Sequence, residues 1–163
     1  MKNYWLLKTE KDEFSIDDLK RVGTEPWTGV RNFQARNNLM AMKKGDQCLI
    51  YHTGVEKAVV GIAKVTSEPY ADPTQFNKKN HAYDPKSTKE KPIWMLVEVS
   101  FMKKLMRPVS LAEIKLDPKL VGMTLTQAPR LSVQAVSEKH FKYIVEELGR
   151  KGGPNPSPVQ PRF

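Results

Sequence analysis

The chain has 163 residues, 39% of them hydrophobic and 28% charged, a composition typical of one globular domain. With 27 Lys and Arg against 18 Asp and Glu, its net charge of +9 favours a polyanionic partner such as nucleic acid, although the same excess can serve solubility alone. No apolar run approaches the ~18 residues of a membrane span, and the N-terminus has no signal-peptide pattern. Cys48 has no second cysteine to pair with. We therefore expect a reducing compartment, the cytoplasm or a eukaryotic nucleus.

The N-terminal part of the chain predicts a strand, a helix and a turn. The strand covers residues 4–7, which are almost wholly apolar. Ser15 is a suitable N-cap with acids in the turn after it, so a helix is predicted to begin there. Residues 23–29 carry two glycines and a proline, which is typical of a turn-rich segment.

A second helix is predicted from Asn32. Ala35, Leu39 and Met42 recur at the spacing of one helix face, and Gly45 can end the helix.

Strands are predicted next over residues 47–52 and 59–66. Residues 67–92 contain repeated Pro, Asn and Lys without periodicity and predict a long loop, a kind of segment that is often functional. Residues 93–101 alternate, which predicts a strand with all of its odd-numbered side chains on one face. A short strand is predicted over residues 131–136.

The last helix is predicted to begin at Ser137 and to end at Gly149. Beyond it, residues 151–163 are rich in proline and predict a disordered tail after a domain over residues 1–150. Strands in separate runs with helices between them predict a mixed, barrel-like α+β domain.

The sequence offers few candidates for catalysis. His52, His81 and His140 lie on three different predicted elements, and Cys48 lies in an apolar strand. Neither metal-ligand spacings nor a Gly-rich phosphate loop occurs. We therefore expect a non-enzyme without metal or cofactor and assign no role to His81. An enzyme with a dispersed site, acting on a nucleotide or an RNA base, is the alternative.

Residues 27–37 carry the strongest functional signal. Two aromatics, two arginines, two asparagines and a glutamine occur where a turn enters a helix. An indole such as that of Trp27 can stack on a base, and amides can hydrogen-bond to its edge. Alternatively, Trp27 and Phe33 anchor the loop in the core, which is the interpretation favoured for Phe33, and the polar residues cap the helix.

This segment resembles the signature of the EVE domain family. The other matching segments follow in the family's order, at residues 4–10, 42–46, 51–53, 61–62, 72–74, 83–85, 94 and 130–134. Two positions depart from the family pattern: Lys11 stands where Pro is usual, and Thr53 where Ser is common. The resemblance spans about residues 3–148.

The resemblance implies a PUA-like fold, a small mixed β-barrel of about five to six strands with helices packed around it. It also implies a non-catalytic domain that binds nucleic acid, DNA or RNA, and holds one modified base in a pocket. The base would leave its stack, which costs a few kcal/mol.

Carried over residue by residue, the resemblance implies a pocket built from three stretches. These supply Trp27 as a wall with Arg31, Asn32 and Gln34 as polar contacts, then Tyr51 and His52, then Ser132 and Gln134, with Lys8 near the mouth. Each could instead be a core or helix-capping residue. Further phosphate contacts are predicted for Lys78, Lys79, Lys86, Lys103, Lys104 and Arg107. We expect a monomer, and a protein-interaction module acting through the proline-rich tail is a third functional hypothesis.

Overall fold

Six strands of this α+β protein form one curled sheet, and a pair of short strands lies beside it. The computed structural model describes residues 2–150, so the predicted tail at residues 151–163 lies outside the described residues. The strands are β1 Tyr4–Glu10, β2 Thr24–Pro26, β3 Gln47–Thr53, β4 Ala58–Val65, β5 Tyr70–Ala71, β6 Met95–Leu96, β7 Glu98–Ser110 and β8 Val133–Val136. The predicted α+β class with a barrel-like sheet is confirmed.

Helices fill the connections between these strands. They are α1 Ile16–Val22, α2 Phe33–Ala41, α3 Leu111–Leu116, α4 Thr124–Gln127 and α5 Glu138–Lys142, which continues as a π-helical segment over Tyr143–Leu148. Single 3-10 turns occur at Pro73–Phe76 and Pro118–Leu120. None of the helices described is both long and apolar enough to cross a bilayer.

The sheet has the strand order β2-β7-β4-β3-β1-β8. The central pair β1 and β3 is parallel, and the other neighbours are antiparallel. A crossover through α1, β2 and α2 joins the parallel pair, as such pairs require. Register shifts between β4 and the 13-residue β7 bend the sheet, since bulges increase local twist and curvature.

Both faces of this sheet are buried. On β1, Trp5 and Leu7 point into a core shared with α1 and α2, while Leu6 points into a second core shared with α3 and α5. On β3, Ile50 belongs to the first core and Leu49 to the second. The near-continuous apolar runs of these strands follow from this double burial.

Helix α1 shows how local sequence and tertiary packing combine. Ser15 and Asp18 form a reciprocal capping box, which confirms the predicted helix start. The Ile16 side chain then packs over Gly61 of β4, where a Cβ atom would lie 2.5 Å from Ile16 Cδ1. Glycine is therefore required at this position by the close approach of the helix to the sheet.

Three predicted elements differ from the structure. The turn at residues 23–29 contains β2, which pairs with β7 through long-range hydrogen bonds. The loop at residues 67–92 contains β5 and a 3-10 turn. The strand at residues 93–101 is split between β6 and β7, because Leu96 and Val97 are both buried and the alternation reverses where the chain passes from one sheet to the other.

Candidate functional site

A cavity of about 430 Å³ opens where the C-terminal end of β1 meets two loops. Its lining comes from residues 8–10, Glu13 and Phe14, residues 25–29, Thr74 and residues 80–82. The volume lies within the roughly 300–1,000 Å³ of small-molecule sites in proteins.

Trp27 forms an aromatic wall of this cavity. Its backbone N–H donates to Val97 O at 2.9 Å, which extends the pairing of β2 with β7 and fixes the indole in place. The ring meets Phe14 edge to face, with centroids 6.2 Å apart. Trp27 is 8% exposed and also belongs to the first core. It is therefore placed both to anchor its loop in the core and to offer a ring face to the cavity, the two interpretations that the sequence left open.

A buried ion pair ties together the two loops that flank Trp27. The Asp72 carboxylate accepts from Gly29 N–H at 2.8 Å, from Thr74 N–H at 2.8 Å and from Arg31 Nη1 at 3.1 Å. Burial opposes the ionisation of Asp72, but these hydrogen bonds outweigh it and hold the pKa of the carboxyl below its ordinary value.

The Arg31 guanidinium donates its hydrogen bonds to other groups of the protein. Nε donates to Ala82 O at 2.9 Å and Nη2 donates to Thr74 Oγ1 at 2.9 Å, in addition to the contact with Asp72. The resemblance implied that Arg31 is a polar contact of the base. In the structure, the hydrogen bonds of Arg31 to Thr74 and Ala82 instead hold residues 74–82 against the loop that contains Trp27.

Lys8 lies in the lining, as the resemblance implied for the mouth of a pocket. Its Nζ donates to Pro129 O and lies 5.7 Å from the centre of the Tyr51 ring. Burial lowers the pKa of this amine.

Three carboxylates line the same cavity, and sequence reasoning missed all of them. Glu10 and Glu13 are exposed, whereas Glu25 is partly buried, and burial raises the pKa of its carboxyl. His81, to which no role was assigned, also lines the cavity. Isolated Glu and His residues carry no periodic signal. Of the three acids, only Glu10 lies in a segment that matches the family, and only Glu25 lies two residues before Trp27.

His52 is not among the residues that line this cavity. It is 2% exposed, and its Nε2 accepts from the Ile16 N–H at 3.0 Å, at the start of α1. Because Nε2 accepts, the ring proton lies on Nδ1 and is donated to Glu56 Oε1 at 2.7 Å. Both ring nitrogens therefore have protein partners, and the residue supports α1.

Tyr51 and Ser132 contact Lys8, and Gln134 pairs in register with Leu6, but none of these three residues lines the cavity. Tyr51 pairs in register with Lys8, is buried and belongs to the second core, away from Trp27. Ser132 O accepts from Lys8 N–H at 3.0 Å. Gln134 is fully buried, and its amide donates to Leu131 O at 2.8 Å, while its Oε1 has no hydrogen-bond partner among residues 2–150.

The remaining signature residues lie at the start of α2. Asn32 is the N-cap and accepts from Ala35 N–H at 2.9 Å, and Gln34 is exposed. The expectation that Phe33 belongs to the core is wrong, since it is 59% exposed and rests on Trp94 with ring centroids 4.9 Å apart.

The predicted phosphate contacts divide into two groups. Lys78, Lys79, Lys86 and Lys103 are exposed. Lys104 pairs with Asp17 at 2.9 Å, and Arg107 makes a two-pronged contact with buried Glu113 at 3.0 and 2.6 Å. Arg107 is therefore a structural residue, because moving it would leave the Glu113 charge buried alone.

The family model of the EVE domain matches residues 3–147. Thymocyte nuclear protein 1 of Mus musculus is 39% identical over 165 residues, which cover 89% of this chain and 73% of that protein.

Among solved structures, a hypothetical protein from Leishmania major is 44% identical, with a TM-score of 0.86 over 90% of this chain and 94% of that one. The human THYN1 protein, in complex with 5-methylcytosine containing DNA, is 36% identical, with a TM-score of 0.86 over 91% and 98% of the two chains.

Proposed function

The chain belongs to the EVE domain family, and on that premise we propose that it is a DNA-binding domain that holds one modified base in the cavity beside Trp27. The observation that carries the proposal is the cavity itself, with its indole wall. A second observation supports the proposal: human THYN1, a relative of the same fold, has a structure in complex with 5-methylcytosine containing DNA.

The energetics of such binding are favourable on general grounds. Taking a base out of its stack costs a few kcal/mol. Stacking on an aromatic side chain returns about 1–3 kcal/mol, and hydrogen bonds to the base edge add to this. A rigid wall helps, because Trp27 is already held by Val97 and Phe14 and loses little freedom when a base arrives.

The charge distribution fits the same partner. Lys78 and Lys79 are exposed and immediately precede residues 80–82 of the cavity lining. The net charge of +9 attracts the DNA backbone, while the cavity discriminates between bases.

We propose that the domain performs no chemistry on the base. His52 and Cys48 lie outside the cavity lining; both ring nitrogens of His52 are engaged, and burial raises the pKa of the Cys48 thiol so that it stays protonated. His81 lies in the lining, and no hydrogen bond among residues 2–150 joins its ring to an acid or a nucleophile. The proposed domain acts as a monomer that needs neither metal nor cofactor, in a bacterial cytoplasm or a eukaryotic nucleus. RNA carrying a modified base is the second candidate ligand, because a single extruded base presents the same edge.

The test compares two DNA oligonucleotides that differ only in one 5-methyl group on cytosine. We expect Trp27→Ala to weaken binding to the methylated DNA by about tenfold or more, the value of one stacking contact, and binding to the unmethylated twin much less. Fluorescence anisotropy at about 0.15 M salt measures both affinities.

Trp27→Phe, which keeps an aromatic ring in the core, and Phe33→Ala, which removes an exposed ring outside the cavity, serve as controls. Phe33→Ala should leave the ratio of the two affinities unchanged. If Trp27→Ala weakens binding to both oligonucleotides equally while remaining folded, the cavity does not hold a base and only electrostatic adhesion remains.

A further inference from the structure

The cavity has a charge opposite in sign to that of the protein. The chain as a whole carries +9, yet three glutamates and one lysine line the cavity. Carboxylates repel phosphate, so the backbone of a bound strand stays outside. What enters must present hydrogen-bond donors to the carboxylates.

Glu25 is the carboxylate best placed to meet a base stacked on Trp27. It pairs in register with Val99 of β7, and Trp27 continues the same extended segment by donating to Val97 O. Side chains two positions apart on an extended segment point to the same side. Glu25 and the indole therefore belong to one wall of the cavity, and both line it.

Glu25 also differs from the other buried or partly buried acids in having no partner. Asp72 accepts from Arg31, Glu113 from Arg107, and Asp46 from the Trp5 indole N–H at 3.0 Å. In the part of the chain that the structure describes, the Glu25 carboxylate makes no hydrogen bond or ion pair, although burial already raises its pKa. A partly desolvated, unpaired carboxylate is unfavourable, and a donor on a ligand would relieve it.

We propose, on the premise that the cavity holds a base, that Glu25 makes it selective for pyrimidines with an amino group at position 4, the cytosine class, over the thymine and uracil class. Carboxylates accept hydrogen bonds from cytosine N4. Thymine presents a carbonyl oxygen at the same position, and two acceptors facing each other repel. Glu10 and Glu13 are exposed and remain solvated, so they add little selectivity.

The sharpest comparison uses 5-methylcytosine and thymine, which carry the same methyl group and differ in the hydrogen-bonding edge. Each is placed opposite an abasic site in otherwise identical duplexes, so that differences in base pairing do not contribute. We expect the wild-type protein to bind the 5-methylcytosine duplex at least about tenfold more tightly. Glu25→Gln, whose amide can donate to the thymine carbonyl, should bring the two affinities to within about threefold of each other.

Glu147→Gln, an exposed site on the last helix outside the cavity lining, removes the same charge and should keep the wild-type ratio. Melting curves establish that both variants fold. A folded Glu25→Gln protein with the wild-type preference, or a wild-type protein that binds the two duplexes equally, would overturn the proposed selectivity.

A third duplex with unmodified cytosine separates this inference from the proposed function. Equal binding of 5-methylcytosine and cytosine shows that the modification is not read, whatever Glu25 does. Preference for 5-methylcytosine over cytosine, without preference over thymine, retains the base pocket and removes Glu25 as the selecting residue.

Discussion

At the scale of single residues, the side chains around the cavity separate into those that can meet a ligand and those that hold the wall. Trp27 and Glu25 line the cavity. Arg31 and Asp72 lie outside the lining and join the loop at Gly29 to the loop at Thr74 by hydrogen bonds. The shape of the cavity therefore depends on an ion pair that contributes little of its own surface to it.

Asp72→Asn should destabilise the protein in a pH-dependent manner. At about pH 7 we expect a loss of about 1–3 kcal/mol in the free energy of unfolding. The amide cannot satisfy Arg31, the N–H groups of Gly29 and Thr74 and the Thr74 hydroxyl as the carboxylate does. The pKa of Asp72 is lowered by folding, so its contribution is complete above the unfolded value of about 4 and disappears as pH falls through the lower folded value.

Urea unfolding at about pH 7, 5 and 3, followed by tryptophan fluorescence, measures the difference in the free energy of unfolding between the wild-type protein and Asp72→Asn. It should be the same at the two higher pH values and smaller at the lowest. A difference that stays constant down to pH 3 would mean that the Asp72 charge does not stabilise the fold. Asp12→Asn, at an exposed acid with no partner among the described residues, is the matched control and should change little.

At the scale of secondary-structure elements, the position of the cavity follows from the way α1 packs on the sheet and β2 pairs with β7 at the edge of the sheet. Helix α1 approaches β4 so closely that Gly61 is required, and His52 on β3 receives the first N–H of the helix. The chain then turns through Gly23 into β2, which leads directly to Trp27. The cavity wall therefore follows directly in the chain from a helix that is packed against the sheet.

Gly61→Ala should destabilise this contact by about 1–3 kcal/mol, the usual range for overpacking. The new Cβ would lie 2.5 Å from Ile16 Cδ1 and 2.8 Å from Lys103 O. Adding Ile16→Ala removes both Cδ1 and Cγ1, which would lie 2.5 and 2.7 Å from the new Cβ. The double variant should therefore be more stable than the sum of the two single changes predicts. Thermal or urea unfolding of the four proteins tests this, and strict additivity would show that the helix does not press on Gly61.

At the scale of the whole molecule, a basic exterior surrounds an acid-lined cavity. The exterior draws in any nucleic acid and contributes affinity that depends on salt. The cavity contributes discrimination, which depends on salt much less because the base is neutral. These two functions are carried by different residues and can be separated by mutation.

Replacing both Lys78 and Lys79 with Gln should weaken binding to methylated and unmethylated DNA by the same factor. Each lost phosphate contact should reduce the slope of log affinity against log salt by about 1. Anisotropy titrations at several salt concentrations measure the slope. Replacing Lys115 and Lys139, exposed on α3 and α5 outside the cavity lining, lowers the charge equally and should leave the slope nearly unchanged. Equal slopes in the two double variants would exclude residues 78 and 79 as phosphate contacts.

The sequence by itself determined the elements whose signals are local. The caps at Ser15 and Ser137 start their helices because the hydroxyl satisfies an N–H three residues on. Apolar runs predicted β1, β3 and β4, and the order of motifs predicted the family and its mixed fold. The residues around Trp27 fitted a loop anchor and a base platform equally well, and the resemblance to the family favoured the second.

Only the tertiary structure decided which of the candidate residues share a cavity. Tyr51 and His52 are adjacent in sequence yet face opposite sides of a sheet that is buried on both, and Arg31 and Arg107 are bound by acids distant along the chain or on the next element. Glu25 lines the cavity because β2 pairs with β7. Strand pairing, strand face and ion-pair partner are long-range properties, and no local pattern of residues encodes them.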